Sequence, residues 1–117
     1  MSTKQLTLST TRPATAQEVE DLVFGTGALT WPWWNGAHQT EHGFRFYYDD
    51  PDKGEGTFTG NKWVSNQQIL NAAAAYLADG RGGEDAREAL SDSIGYLDAE
   101  AADCVLQRAV LGKEIYG

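Results

Sequence analysis

The sequence is short of cysteine, of cationic residues and of long apolar runs, and each shortage removes a class of protein. Cys104 is the single cysteine, so no disulfide can form within the chain, and a reducing compartment is the natural expectation. The longest purely apolar run, Ala72 to Ala78, is far too short to cross a bilayer as a helix. The first residues, Met1-Ser2-Thr3-Lys4-Gln5, lack the apolar centre of a signal peptide, and a cytoplasmic location is expected. Nine basic residues stand against 17 acidic ones, a formal charge of −8. Such a balance repels a phosphate backbone, so direct nucleic-acid binding is not expected. The acids form no tail: residues 1–60 hold 8 acids and 4 bases, and residues 61–117 hold 9 and 5.

The remaining composition belongs to a folding chain. At 117 residues and 41% hydrophobic, it has the size of one domain and should withdraw roughly two-thirds of its unfolded surface from water. The expectation is a single α+β domain over residues 1–117, with a small antiparallel sheet of three to four strands packed on about four helices.

Local patterns supply the elements. Lys4 to Thr10 alternate as a half-buried strand, with residues 1–12 loosely attached. Thr15 and Glu18 have capping-box spacing, which starts a helix whose apolar stripe is Val19, Leu22 and Val23 and which Gly25 closes in the left-handed conformation. Aromatics, glycines and turn residues dominate from Ala28 to Gly60. Phe44 to Tyr48 and Thr57 to Thr59 read as strands joined by the loop Asp49 to Gly56, and Ala28 to Trp34 reads as a strand confined to an edge by Pro32. Ser65 and Gln68 form a second capping box, stapled by Val64 and Ile69, for a helix ending at Gly80. Ile69, Leu70, Ala73, Ala74 and Leu77 are its inner face. A short third helix holds Ala86, Ala89 and Leu90. Asp98 caps a fourth, running to about Leu111 with Gly112 as its stop. That helix is apolar on two sides, with Ala102, Val105, Leu106, Ala109 and Val110 on one and Cys104 and Leu111 on the other. Such a pattern belongs either at the centre of a core or against a second surface, and the central place is the expectation for a chain of this size.

Several motifs imitate chemistry without its context. His38-Gln39-Thr40-Glu41-His42 has the letters of an inverted zinc-protease motif, but that motif needs a rigid helix. Gly36 and Gly43 bracket the segment instead, and a solvated loop is expected. Asp49, Asp50, Asp52 and Glu55 could hold a hard cation, yet Glu55 stands where a calcium loop requires glycine and Asn61 where it requires glutamate. Gly25-Thr26-Gly27 follows a helix instead of opening one, and Gly80-Arg81-Gly82-Gly83 lacks the lysine and serine of a phosphate loop. Cys104 is expected as a packed thiol. No nucleophile, base and orienting group can be assembled, so no enzyme, metal or cofactor is expected.

The most distinctive stretch is Trp31-Pro32-Trp33-Trp34, followed by Phe44, Phe46, Tyr47, Tyr48 and Trp63. Successive strand side chains alternate, so the three tryptophans cannot all face one way. One expectation is an aromatic core; the other is a rigid anchor for a partner. With Trp31-Pro32-Trp33-Trp34, the segments Asp49-Asp50-Pro51-Asp52, Gly54-Glu55-Gly56-Thr57-Phe58, Gly95-Tyr96-Leu97-Asp98-Ala99, Ala102-Asp103-Cys104-Val105-Leu106-Gln107 and Ile115-Tyr116-Gly117 resemble small proteins of tailed phages of actinobacteria. The resemblance covers the chain from about Leu22 onward. It implies a setting, the infected bacterial cytoplasm, and carries no activity. The resulting expectation is a non-enzymatic accessory protein that binds and modulates a host protein through Trp31, Trp33, Trp34 and Tyr47, with Asp49, Asp50, Asp52 and Glu55 beside them. Two alternatives accompany it: sequestration of a nucleotide between the aromatic rings, with Arg45 or Arg81 on its phosphates, and an acidic mimic of DNA.

Overall fold

The computed structural model describes residues 6–7, 13–49, 59–79 and 94–115. The expected third helix, the acidic loop with Asp50, Asp52 and Glu55, and the glycines around Arg81 lie outside the described residues.

Two residues of the first expected strand, Leu6–Thr7 (β1), pair antiparallel with Pro13–Ala14 (β2). Helix α1 spans Ala16–Glu20 and starts at the expected capping box: the Glu18 amide donates to Thr15 Oγ1, and the Thr15 amide donates back to Glu18 Oε2. Glu18 is itself buried, and its other oxygen accepts the Ile94 amide at 2.8 Å, so one carboxylate ties α1 to the 3-10 turn Ile94–Tyr96. Gly25 does not close this helix in the left-handed conformation. The backbone widens into a π turn over Asp21–Gly25, and Gly27 takes the positive φ of 88° two residues later. Thr26 makes the delay workable, since its hydroxyl donates to the Leu22 carbonyl and accepts from the Ala28 amide.

The segment 28–34 also departs from expectation. Ala28–Thr30 is a 3-10 turn, residues 31–33 turn again, and the strand begins only at Trp34. Pro32 sits in that turn, where its missing N–H and fixed φ cost nothing. The sheet is β3 (Trp34–Gln39), β4 (Gly43–Asp49) and β5 (Thr59–Ser65), antiparallel in the order β3-β4-β5. His38 and Gln39 therefore lie on a strand, and only residues 40–42 form the turn. The third strand starts where the sequence pattern ended it. Thr57 and Phe58 are outside the described residues, and Gly60-Asn61-Lys62, poor strand formers, are held extended by pairing with the strongly β-forming Phe46-Tyr47-Tyr48.

Strand β5 passes directly into α2 (Asn66–Ala78). Ser65 is both its last residue and the helix N-cap, with the expected reciprocal bonds to Gln68. Helix α2 buries Ile69, Leu70, Ala72, Ala73, Tyr76 and Leu77, so Ala72 and Tyr76 join the inner face and Ala74 moves to its margin. Asp98 caps α3 (Ala99–Leu111), and Gly112 ends it at φ 83°. Every residue from Ala101 to Gln107 is buried, which is the central position expected for a helix apolar on two sides. Cys104 is a buried free thiol. Helices α2 and α3 pack together, and the inner face of the sheet lays Trp34, Phe44, Phe46 and Val64 into the same core. Phe44 and Phe46 are almost wholly enclosed, each contributing about 1.5 to 3 kcal/mol through burial.

Candidate functional site

The tryptophan segment is held by one carboxylate about 70 residues away along the chain. Trp34, the first residue of β3, points inward and is 5% exposed, with its ring against Phe46 and Tyr48. Its indole N–H donates to Asp103 Oδ1 at 2.6 Å. Trp33, half-buried in the preceding turn, donates to the same oxygen at 2.7 Å. Trp31, also half-buried, stacks on Trp33 with ring planes 2° from parallel and centroids 5.6 Å apart, and its N–H reaches the Ala99 carbonyl at the start of α3. All three indole N–H groups are therefore spent inside the molecule.

Asp103 is 3% exposed, and among the described residues no lysine or arginine pairs with it. Its charge rests on N–H donors: the two indoles on Oδ1, and Gln107 Nε2 on Oδ2 at 2.9 Å. Gln107 stands one turn further along α3 and is fully buried; its Oε1 accepts the Ile115 amide at 2.7 Å, fastening the segment after the helix. Sequence reasoning missed Asp103. Its signal was an acid inside an otherwise apolar run, Ala101 to Leu106, with Gln107 one turn further on the same helix face.

The structure separates the residues expected to form the partner surface. Trp31 and Trp33 form an aromatic knuckle around the exposed Pro32, at the junction of sheet and α3. Trp34 lies beneath them as a core residue, which corrects its expected place on the surface: a large ring entering the inward phase of β3 is worth more inside. Tyr47 is on the outer face of the sheet, away from the core-facing Trp34, because 45, 47 and 49 share the outward phase of β4. Asp49 does come beside the knuckle. Its amide donates to the Trp33 carbonyl at 2.9 Å, and its side chain accepts from Asn35 Nδ2 at 3.1 Å. The residue that begins the acidic loop is thus bonded to the knuckle's backbone.

The arrangement limits what can bind. A flat ligand between two rings needs about 7 Å between their planes, and Trp31 and Trp33 stack on each other instead. His38 on β3 and His42 in the turn are both exposed and not on a helix, and among the described residues no three metal-ligating side chains converge. A groove of about 540 Å³ runs between α2 and the end of α3, lined by Gln68, Ala72, Arg108, Ala109, Lys113 and Glu114. Arg108 is fixed at its wall by Asp79 at 2.7 Å and Glu114 at 2.8 Å, and its guanidinium lies over the Tyr76 ring. Burial works against that charge, but the bonds to Glu114 and Asp79 outweigh it and raise the Arg108 pKa. Comparison with family models, curated proteins and solved structures finds no match for this chain.

Proposed function

We propose that this chain is a non-enzymatic accessory protein, encoded by an actinobacterial tailed phage, that binds and modulates a host protein in the cytoplasm of the infected cell. The binding surface is the knuckle of Trp31, Pro32 and Trp33 together with the acidic stretch from Asp49 through Asp50 and Asp52 to Glu55. The observation that carries this reading is the bond from the Asp49 amide to the Trp33 carbonyl, since it sets an aromatic anchor and the first acid of the loop side by side. Aromatic anchors contribute most when they are rigid before binding. Here the indole N–H groups are fastened to α3, which fixes the rings while leaving part of each open to solvent. The neighbouring acids add charge complementarity toward a basic patch on the partner and accelerate encounter.

The test is affinity capture from host lysate with the wild-type chain, with Trp31→Ser, and with Asp50→Asn combined with Asp52→Asn. These substitutions spare the Asp103 cluster, so the fold should persist, as circular dichroism would verify. A specific host protein retained by wild type should be depleted by both variants, and the acid variant should lose mainly its salt-sensitive part. Capture that is the same for all three chains would overturn the assignment of this surface.

A further inference from the structure

The outer face of the sheet is a second surface, which shares only Asp49 with the acidic flank of the knuckle. It carries Arg45, Tyr47 and Asp49 from β4, Asn61 and Trp63 from β5, and His38 from β3, all of them exposed. Tyr47 and Trp63 are each 40% exposed, among the largest apolar groups left open to water. Between them, Arg45 donates to Asn61 Oδ1 at 2.8 Å. Among the described residues no carboxylate pairs with the Arg45 guanidinium, although the chain holds 17 acids to 9 bases.

This face is complementary to itself. Arg45 and Asp49 flank Tyr47 at equal distance on the same side of β4, about 13 Å apart along the strand. A two-fold axis lying between two facing sheets, across the strands at the level of Tyr47, superposes β4 antiparallel on β4 of a second copy. Each Arg45 then meets the Asp49 of the other copy, the two Tyr47 rings meet at the axis, and each Trp63 lies over the partner's β5. Facing sheets pack about 10 Å apart, a gap that such side chains fill. An isologous contact repeats every interaction twice, so one arginine and one aspartate yield two charge pairs.

We propose that the open sheet face is a homodimer interface, with a second copy of this chain as its occupant. The six exposed side chains of this patch are fewer than the roughly 20 to 30 residues per side of a standard stable interface, so the dimer is weak and concentration-dependent.

Sedimentation velocity over a wide concentration range tests this with a charge swap. Wild type should show reversible dimerisation. Arg45→Glu alone leaves two carboxylates facing each other at both pairs, and Asp49→Arg alone leaves two guanidinium groups there, so each variant should dimerise roughly tenfold or more weakly. An equimolar mixture of the two variants restores an opposite-charge pair at each end: two carboxylates from one chain meet two guanidinium groups from the other. The mixture should associate about as tightly as wild type. Trp31→Ser, which alters only the knuckle, should dimerise normally and so separates this interface from the host-binding surface. A wild type that stays monomeric throughout, or a mixture that associates no better than its separate components, overturns the proposal.

Discussion

Replacing Asp103 by asparagine asks how much of the fold depends on one buried charge. The carboxylate accepts three N–H groups at 2.6 to 2.9 Å, and a hydrogen bond to a charged group contributes about 1.5 to 3 kcal/mol. In Asp103→Asn the remaining oxygen can still serve both indoles, with weaker, uncharged bonds. The new amide must then face Gln107 Nε2, donor against donor. Turning the Gln107 amide relieves that clash only by presenting an N–H to the Ile115 amide, which now donates to Gln107 Oε1. In either orientation one bond is lost. Against this, asparagine avoids the desolvation cost of a buried carboxylate, which acts in its favour. With three short bonds weakened or lost, the hydrogen-bond loss should prevail, for a net destabilisation of about 1 to 3 kcal/mol. Asp103→Ala strands the buried Trp34 N–H and removes the Oδ2 acceptor of Gln107 Nε2, and should cost about 3 to 5 kcal/mol, a large part of the stability of a domain this size. Urea unfolding followed by tryptophan fluorescence, with an unchanged m-value, measures both. An Asp103→Asn protein as stable as wild type would refute the reasoning, because desolvation would then outweigh the charge-assisted bonds.

Three further perturbations address the frame around the site. Gly43→Ala would drive a methyl onto the Val64 carbonyl and within 2.8 Å of Ser65 Cα; because backbone cannot yield as a side chain does, a loss of about 2 to 4 kcal/mol is expected in the same urea assay. Ser65→Ala removes the N-cap acceptor of α2 and should cost about 1 kcal/mol, while Ser65→Asp should restore most of it. Glu18→Gln retains an oxygen for the Ile94 amide but cannot complete the capping box with the same strength, so it should lower stability by about 1 kcal/mol; no change would mean that the link to Ile94 contributes little.

Legibility in the sequence followed the range of the interactions. Helix starts at Thr15, Ser65 and Asp98 were readable because a cap is completed within three residues, and all three caps are present. Strand β4 was readable because Phe44, Phe46 and Tyr48 alternate with Arg45 and Tyr47. Where pairing supplies the conformation, local signals misled. Strand β5 is extended through Gly60, Asn61 and Lys62 because β4 lies beside it, and β3 contains Asn35 and Gly36 at a register shift opposite Tyr47 and Tyr48. At the site, the tryptophans were visible and their fate was not, since it depends on an acid 69 and 70 positions away.

The identity of that acid follows from what it must accept. Three N–H donors converge on one buried position, two onto the same oxygen. A side chain suited to it must offer two acceptor oxygens and bring no donor. Asparagine and glutamine carry an NH₂, and serine and threonine have a single oxygen that is itself a donor. Only a carboxylate qualifies, and glutamate would need room for another methylene in a core where Ala102, Val105 and Leu106 are fully enclosed. Aspartate at this point of α3 is therefore the natural solution once two tryptophans and Gln107 arrive together. It also explains why the knuckle is rigid. Trp34 secures the strand beneath, Trp33 shares its acceptor, and Trp31 rests on Trp33, so the two outer rings are held from below by a group that no partner can reach.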